Sequence, residues 1–342
     1  MKKKILFIII VIIIVGSIIG YNFYAKIYNS NVMETTFIYI PTNAEFTDIK
    51  ELIDPYLNNS ESFVWVAEKK NYPNKIRAGK FKIKKGMSND DLVNHLRGGK
   101  AETVKLTFNN QDSYEKLAGR IALQIESDSI SILNAMKETE FLSQNDFNEH
   151  TGLAMYIPNS YDFYWNTSAS KFRERMLREY QNYWNEDRVK SAKSKNLTPV
   201  EVITLAAIVQ KETSKVNERP KVAGLYLNRL DDNWPLQADP TIIYALKQKY
   251  GQDSIFMRVL NKDLRIDSPY NTYQNIGLPP GPIAMPDISS IEAVLHPQNH
   301  RYYYMCASVT EIGKHEFAMT LKEHNKNARK YQNWINEQGI KR

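Results

Sequence analysis

The chain has 342 residues, with 45 basic side chains against 38 acidic ones, a formal net charge of +7 and one cysteine. A single cysteine excludes an intramolecular disulfide framework. Because lysines are scattered through every segment and interleaved with acids, the excess charge reads as a solvated surface, not as a nucleic-acid patch.

Lys2, Lys3 and Lys4 lead into an almost unbroken apolar run over residues 5–25. About 20 apolar residues suffice to cross the hydrocarbon core as a helix. Lysines ahead of the run keep that end in the cytoplasm. Residues 1–4 are therefore read as a cytoplasmic tail and 5–25 as a transmembrane signal anchor of the inner (cytoplasmic) membrane, single-pass, with the remaining chain extracytoplasmic. That location also removes nucleic acid as a partner. A cleaved signal peptide starts in a similar way. Here, however, no small-x-small site follows the run; Tyr21, Phe23 and Tyr24 stand there instead, as aromatics do at a membrane–water interface. No cysteine lies near enough for a lipid anchor.

The roughly 310 residues beyond the anchor have room for two modest domains. Residues 26–35, polar and rich in Asn, read as a short stalk. From 36 to 106 a small α+β pattern follows. Thr36–Ile40 alternates like a strand, Phe46–Leu57 reads as a helix, and FVWVAEKK (63–70) is an apolar run of open type. FKIKKG (81–86) reads as a short strand ending at Gly86. Ser88 then caps a helix that stops at the Gly98-Gly99 pair. Residues 107–197 carry helical patterns over Tyr114–Ser127 and Lys171–Trp184. The intervening loop is rich in aromatic and Asn side chains, suited equally to sugar contact and to core packing.

The stretch Val200–Leu246 is the most informative. Thr198 as cap, Pro199 at the first helical position and Glu201 three residues past the cap start a helix well. Val200, Val202, Ile203 and the apolar residues through Val209 leave no clear polar face, so the helix should be buried. Glu212 ends it, above Ile208 and close in angle to Leu205. A carboxyl so placed loses solvation and its pKa should rise, as a general acid at neutral pH requires. A helix-end glutamate turned outward to water is the alternative. Asp239-Pro240-Thr241 reads as a helix start with Asp239 as cap. Glu218, beside Arg219, reads as a salt-bridged loop acid.

Several blocks bear a resemblance that these patterns do not supply. Glu212-Thr213, ERPKVAGLYLNRL, LQADPTIIYAL, SPYNTYQNIGLPPGPIAMP and HPQNHRYYY resemble, in order and over nearly all of residues 200–325, the YceG-like family of endolytic murein transglycosylases. AGKFKIKKGMSNDDLVNHLRGGK resembles the LysM-like subdomain that precedes the catalytic region there. LysM modules bind N-acetylglucosamine-containing glycans, although a packing role fits this piece equally well. The resemblance implies an α+β protein: an N-terminal transmembrane helix, a LysM-like subdomain over 36–106 and a larger catalytic domain over 107–342.

The implied activity is cleavage of the bond between N-acetylmuramic acid and N-acetylglucosamine in nascent peptidoglycan, leaving 1,6-anhydromuramoyl ends and limiting strand length. Membrane-bound peptidoglycan synthases become candidate partners. Glycoside hydrolysis usually needs two carboxylates, ~5–5.5 Å apart in retaining and ~6.5–9.5 Å apart in inverting enzymes. A lytic transglycosylase needs one, because the muramic C6 hydroxyl attacks C1 internally. Glu212 is the implied acid/base; the family often has a second acid where Gln210 stands here. Gln237, Tyr270, Asn271, Thr272 and Tyr273 are the candidate sugar-binding residues, with loop structure the alternative for Gln237 and Asn271. The alternatives to a transglycosylase are a hydrolase using Asp239 or Glu218 as second carboxylate, and a non-catalytic glycan-binding scaffold. No cofactor or metal is expected: His296 and His300 enclose Pro297, and no HExxH or cysteine cluster exists.

Overall fold

The computed structural model describes residues 2–256 and 258–338. The ends of the expected tail (1–4) and catalytic span (107–342) thus lie partly outside the described residues. The protein is a mixed helix-and-sheet structure in two compact units. The main break falls after Leu106, but residues 122–127 and 161–168 return to the first unit. A single cut along the sequence does not capture that return.

In the first unit, α1 (Lys2–Tyr28) is long and apolar enough to cross a membrane, and its Ile, Val and Leu side chains over residues 5–19 are exposed. Its C-terminal turn is tied down by a buried amide network. Asn89 Nδ2 donates to the Lys26 carbonyl (2.9 Å) and to Ser62 Oγ (2.9 Å), and Asn31 Nδ2 donates to Asn89 Oδ1 (2.7 Å). Asn31 and Val32 are buried, and Ser30 and Val32 bridge to Ser88 and Leu57. Within residues 26–35, expected as a short stalk, Asn31 and Val32 are buried and Ile27 half-buried, while the other seven residues are exposed. Carbonyls left over at a helix end need partners, and Asn89 supplies one here.

Strand β1 (Thr36–Ile40) is followed by α2 (Phe46–Ile53), which is shorter than its pattern predicts. Pro55 lacks an N–H and turns the next three residues into a 3₁₀ turn. The open-type run proves to be helical, α3 (Ser60–Lys69), capped by Asn59. β2 (Gly79–Ile83) pairs antiparallel with β1, Ile38 opposite Phe81. α4 (Asn89–Gly98) starts with the expected Ser88 cap, closed into a reciprocal box by Asp91. Ile38, Ile40, Ile49, Phe63, Phe81 and Leu92 form the core.

Strands β3 (Thr103–Phe108) and β4 (Asn159–Tyr164) each begin in one unit and end in the other. The second unit contains most of α5 (Tyr114–Ala122), then α6 (Ser129–Met136), α7 (Thr139–Gln144), α8 (Ala169–Tyr183) and α9 (Glu186–Lys193). Its centre is α10 (Pro199–Glu212), every residue of which from Val202 to Val209 is buried. Around it pack α11 (Arg219–Asp231), α12 (Asp239–Tyr250) and α13 (Ile288–Leu295). A terminal hairpin follows: β5 (Tyr304–Ala307) runs antiparallel to β6 (His315–Ala318), Met305 opposite Phe317, and α14 (Leu321–Glu337) packs on both. Cys306 is half-buried in β5.

Candidate active site

The start of α10 fixes where its far end lies. Glu201 Oε2 accepts from the Thr198 N–H (2.8 Å), the Glu201 N–H donates to Thr198 Oγ1 (3.3 Å), and Pro199 occupies the first turn. Thirteen residues after that proline, Glu212 closes the helix, and Thr213 turns extended. Glu212 keeps a partly exposed edge, but protein encloses its carboxyl. From α11 the buried Tyr226 donates its hydroxyl to Glu212 Oε1 at 2.8 Å.

Burial pushes the Glu212 carboxyl up. The Tyr226 hydrogen bond and the fields of His315 and Arg229 pull it down, and the charge of Asp239 pushes it up again. Desolvation wins, and the pKa lies at about 7. The group is thus poised between proton donor and proton acceptor at neutral pH, the state a single acid/base needs.

Six residues on, Glu218 has the opposite character. It is 5% exposed, yet it accepts from Thr213 Oγ1 (2.7 Å) and the His315 N–H (2.6 Å), and pairs with His315 Nδ1 (3.0 Å). Burial alone would raise its pKa, but these partners outweigh burial and hold it below the usual carboxylate range. The expected loop acid beside Arg219 is therefore a buried anchor. Arg219 itself bonds Ser289 and lies 3.7 Å from Asp287. Because Thr213 follows Glu212 directly, the Glu218–Thr213–His315 cluster fixes the backbone at which the acid leaves its helix.

Asp239 is exposed, and it is not the cap of α12. Ala238 occupies that position, and Asp239 Oδ1 accepts from Tyr273 Oη at 2.6 Å. Both Asp239 and Tyr273 act electrostatically on the Glu212–Tyr226 pair. Of the other sugar-binding candidates, Asn271 is fully buried. It gives Nδ2 to the Leu264 and Ile266 carbonyls and takes the Tyr273 N–H on Oδ1. Thr272 accepts from the Ala238 N–H and bonds Thr241. Tyr270 is buried against Tyr244. These three have no polar surface to offer a sugar; they position Tyr273 and the start of α12. Gln237 is exposed, with a left-handed backbone (φ 48°) held by its N–H to Thr272 O. Gln210 Oε1 accepts from the Asp287 N–H and Ser290 Oγ, tying α10 to the start of α13.

Sequence reasoning missed Tyr226 and Arg229. Both lie within ERPKVAGLYLNRL at i, i+3 spacing, so they share one side of α11. Arg229 is buried, donating Nε and Nη2 to the Tyr303 carbonyl (2.8 and 2.6 Å) and Nη1 to Leu236 O (2.5 Å). A tyrosine and an arginine one turn apart within the mainly apolar run Val222–Leu230 were the available signal. A cavity of about 1090 Å³ lies at the other end of α10, bordered by Thr198–Glu201 and Gly277–Pro280, and Glu212 does not line it. Among the described residues no group of three or more His, Cys, Asp or Glu is arranged to hold a metal.

The model of the YceG-like family matches residues 38–330. A Bacillus subtilis (strain 168) protein named endolytic murein transglycosylase is 31% identical over 322 residues, covering 89% of this chain and 86% of that protein. A Streptococcus pneumoniae (serotype 2) protein of the same name is 30% identical over 302 residues; the match covers 79% of this chain but only 53% of that relative. A crystal structure of a YceG-like protein from Listeria monocytogenes superposes with a TM-score of 0.58 at 28% identity, over 86% of this chain and 98% of that one.

Proposed function

Because the chain belongs to the YceG-like family, we propose that it is an endolytic murein transglycosylase whose single acid/base is Glu212. The observation that carries this reading is the enclosed Glu212 carboxyl on the Tyr226 hydroxyl, with a pKa of about 7.

The protonated carboxyl donates to the oxygen linking N-acetylmuramic acid to the next N-acetylglucosamine, and the C1–O bond breaks. The resulting carboxylate takes the proton of the muramic C6 hydroxyl as that oxygen bonds to C1. The product end is a 1,6-anhydro ring, and no water is consumed. Internal attack gains from proximity, as the nucleophile is already attached. Tyr226 stabilises the carboxylate between the two transfers. Tyr273 and Gln237, which keep accessible surface, are the residues we assign to the sugar; Asn271, Thr272 and Tyr270 hold them in place. Glu218 is unsuited to activating water, since both its oxygens are occupied. Asp239 is the carboxylate that a hydrolytic reading would need.

In the same proposal α1 anchors the chain in the inner membrane, Lys2, Lys3 and Lys4 cytoplasmic and the chain beyond α1 outside. The first unit is LysM-like and holds glycan near the membrane, where synthases extend it. The strand–Gly86 turn–capped helix order of β2 and α4 supports that assignment.

Mass spectrometry of glycan strands incubated with the detergent-solubilised chain tests the reading. Internal fragments with anhydro ends, one water lighter than hydrolysis products, are expected from the wild type and not from Glu212→Gln. Reducing ends lacking the anhydro ring mean a hydrolase, with Asp239 the next variant. Binding without cleavage by either form means a scaffold.

A further inference from the structure

The residue after the left-handed Asn233 is a tryptophan with 40% of its surface exposed, whereas Trp184 in the same unit is buried to 8%. Its ring lies 5.3 Å from that of Tyr303 and 5.5 Å, edge-on, from that of Tyr304, with the Arg229 guanidinium 5.9 Å from its centre. Tyr304 in turn stacks on His324 at 5.4 Å.

The loop that presents this ring is held at several points. The Trp234 N–H donates to the Arg229 carbonyl (2.7 Å), Arg229 Nη1 reaches Leu236 O (2.5 Å) beyond it, and Tyr303 Oη donates to Asp232 Oδ2 (2.5 Å) before it. Arg229 also bonds the Tyr303 carbonyl. One guanidinium therefore clamps the tryptophan loop to the strand whose aromatics back it. Rigid aromatic rings with an open face bind with little ordering cost.

The clamp is continuous with the proposed site. Arg229 stands one turn beyond Tyr226 on the same side of α11, about 4.5 Å along the axis, and its charge acts on Glu212. Glu212 and Tyr226 are thus joined by a hydrogen bond, Tyr226 and Arg229 by helix spacing, and Arg229 lies against Trp234, which leaves 40% of its surface open. The apolar face of a pyranose is the matching chemistry for such a surface.

We infer that Trp234, backed by Tyr303 and Tyr304, is a sugar-stacking subsite that holds the glycan strand next to the residue pair being cleaved. The inference rests on the transglycosylase reading and adds a binding residue to it. Arg229 is a positioning residue, since Nε, Nη1 and Nη2 each donate to a carbonyl of the clamped segments.

The test uses the full chain in detergent with strands of N-acetylglucosamine and N-acetylmuramic acid. Trp234→Ala is expected to raise KM about tenfold while kcat changes less than about threefold. The pH midpoint of activity should stay in place, and Trp234→Phe should recover most of the loss. Separately, chitotetraose titrated into the inactive Glu212→Gln chain should shift tryptophan fluorescence, and Glu212→Gln/Trp234→Phe should remove that signal. An unchanged KM in Trp234→Ala overturns the subsite, and so does a fluorescence titration that is identical with and without Trp234. If Trp234→Ala does not fold, Trp234→Phe and the titration decide alone. Absence of anhydro ends from wild type sinks the transglycosylase reading instead, a separable failure.

Discussion

Two carboxylates six residues apart, both enclosed by protein, are driven in opposite directions. At Glu212 the Tyr226 hydroxyl supplies a hydrogen bond, and desolvation prevails; the proton stays on to about pH 7. At Glu218 a hydroxyl, a backbone N–H and a histidine ring surround the charge, and the carboxylate persists although the residue is 5% exposed. Burial does not decide whether an acid serves chemistry or structure. The number and charge of its hydrogen-bond partners do.

That contrast can be broken from either side. The largest effect is expected from Glu212→Gln, which removes the general acid and should lower turnover by about a thousandfold or more while binding persists. Next comes Glu218→Gln. It leaves the His315 N–H and ring facing an amide, and should cost about 2–4 kcal/mol at pH 7. The lowered folded-state pKa means Glu218 contributes stability above its unfolded value that is lost as pH falls through the folded one. Chemical denaturation should therefore show the gap to wild type shrinking between pH 7 and pH 3.

The stability of Glu212→Gln runs the other way. A carboxyl with a raised folded pKa costs stability as pH rises from its unfolded value of 4.5 to about 7. The variant should thus match wild type near pH 4 and exceed it by about 1–3 kcal/mol at pH 8, as thermal melts would report. A smaller change is expected from Tyr226→Phe. Losing a donor that lowers the Glu212 pKa moves the alkaline limb of the rate profile to higher pH, with turnover down about tenfold. A limb that stays put would remove Tyr226 from the mechanism.

Features set by neighbours in sequence were legible. The Thr198-Pro199-Glu201 start of α10, the Ser88 cap and the alternation of β1 need only a few consecutive residues. The buried helix also located Glu212. Features set by tertiary partners were not. Asp239 carries a cap's sequence signature, but Tyr273 takes its carboxylate and Ala238 occupies the cap. Asn271 and Thr272 have sugar-binding chemistry, but distant carbonyls, hydroxyls and N–H groups consume it. Residues 26–35 have a linker's composition, and only the amides of Asn31 and Asn89 show why Asn31 and Val32 are buried within it. Glu218 finds its main partner 97 residues away.

The central claim is that Glu212 shares its proton with neutral solution. Difference infrared titration of its carboxyl band, wild type minus Glu212→Gln, measures that directly. The account predicts a protonated C=O band that disappears with a midpoint of about pH 7 and shifts upward in Tyr226→Phe. A midpoint near 4.5, the ordinary value for glutamate, would contradict it.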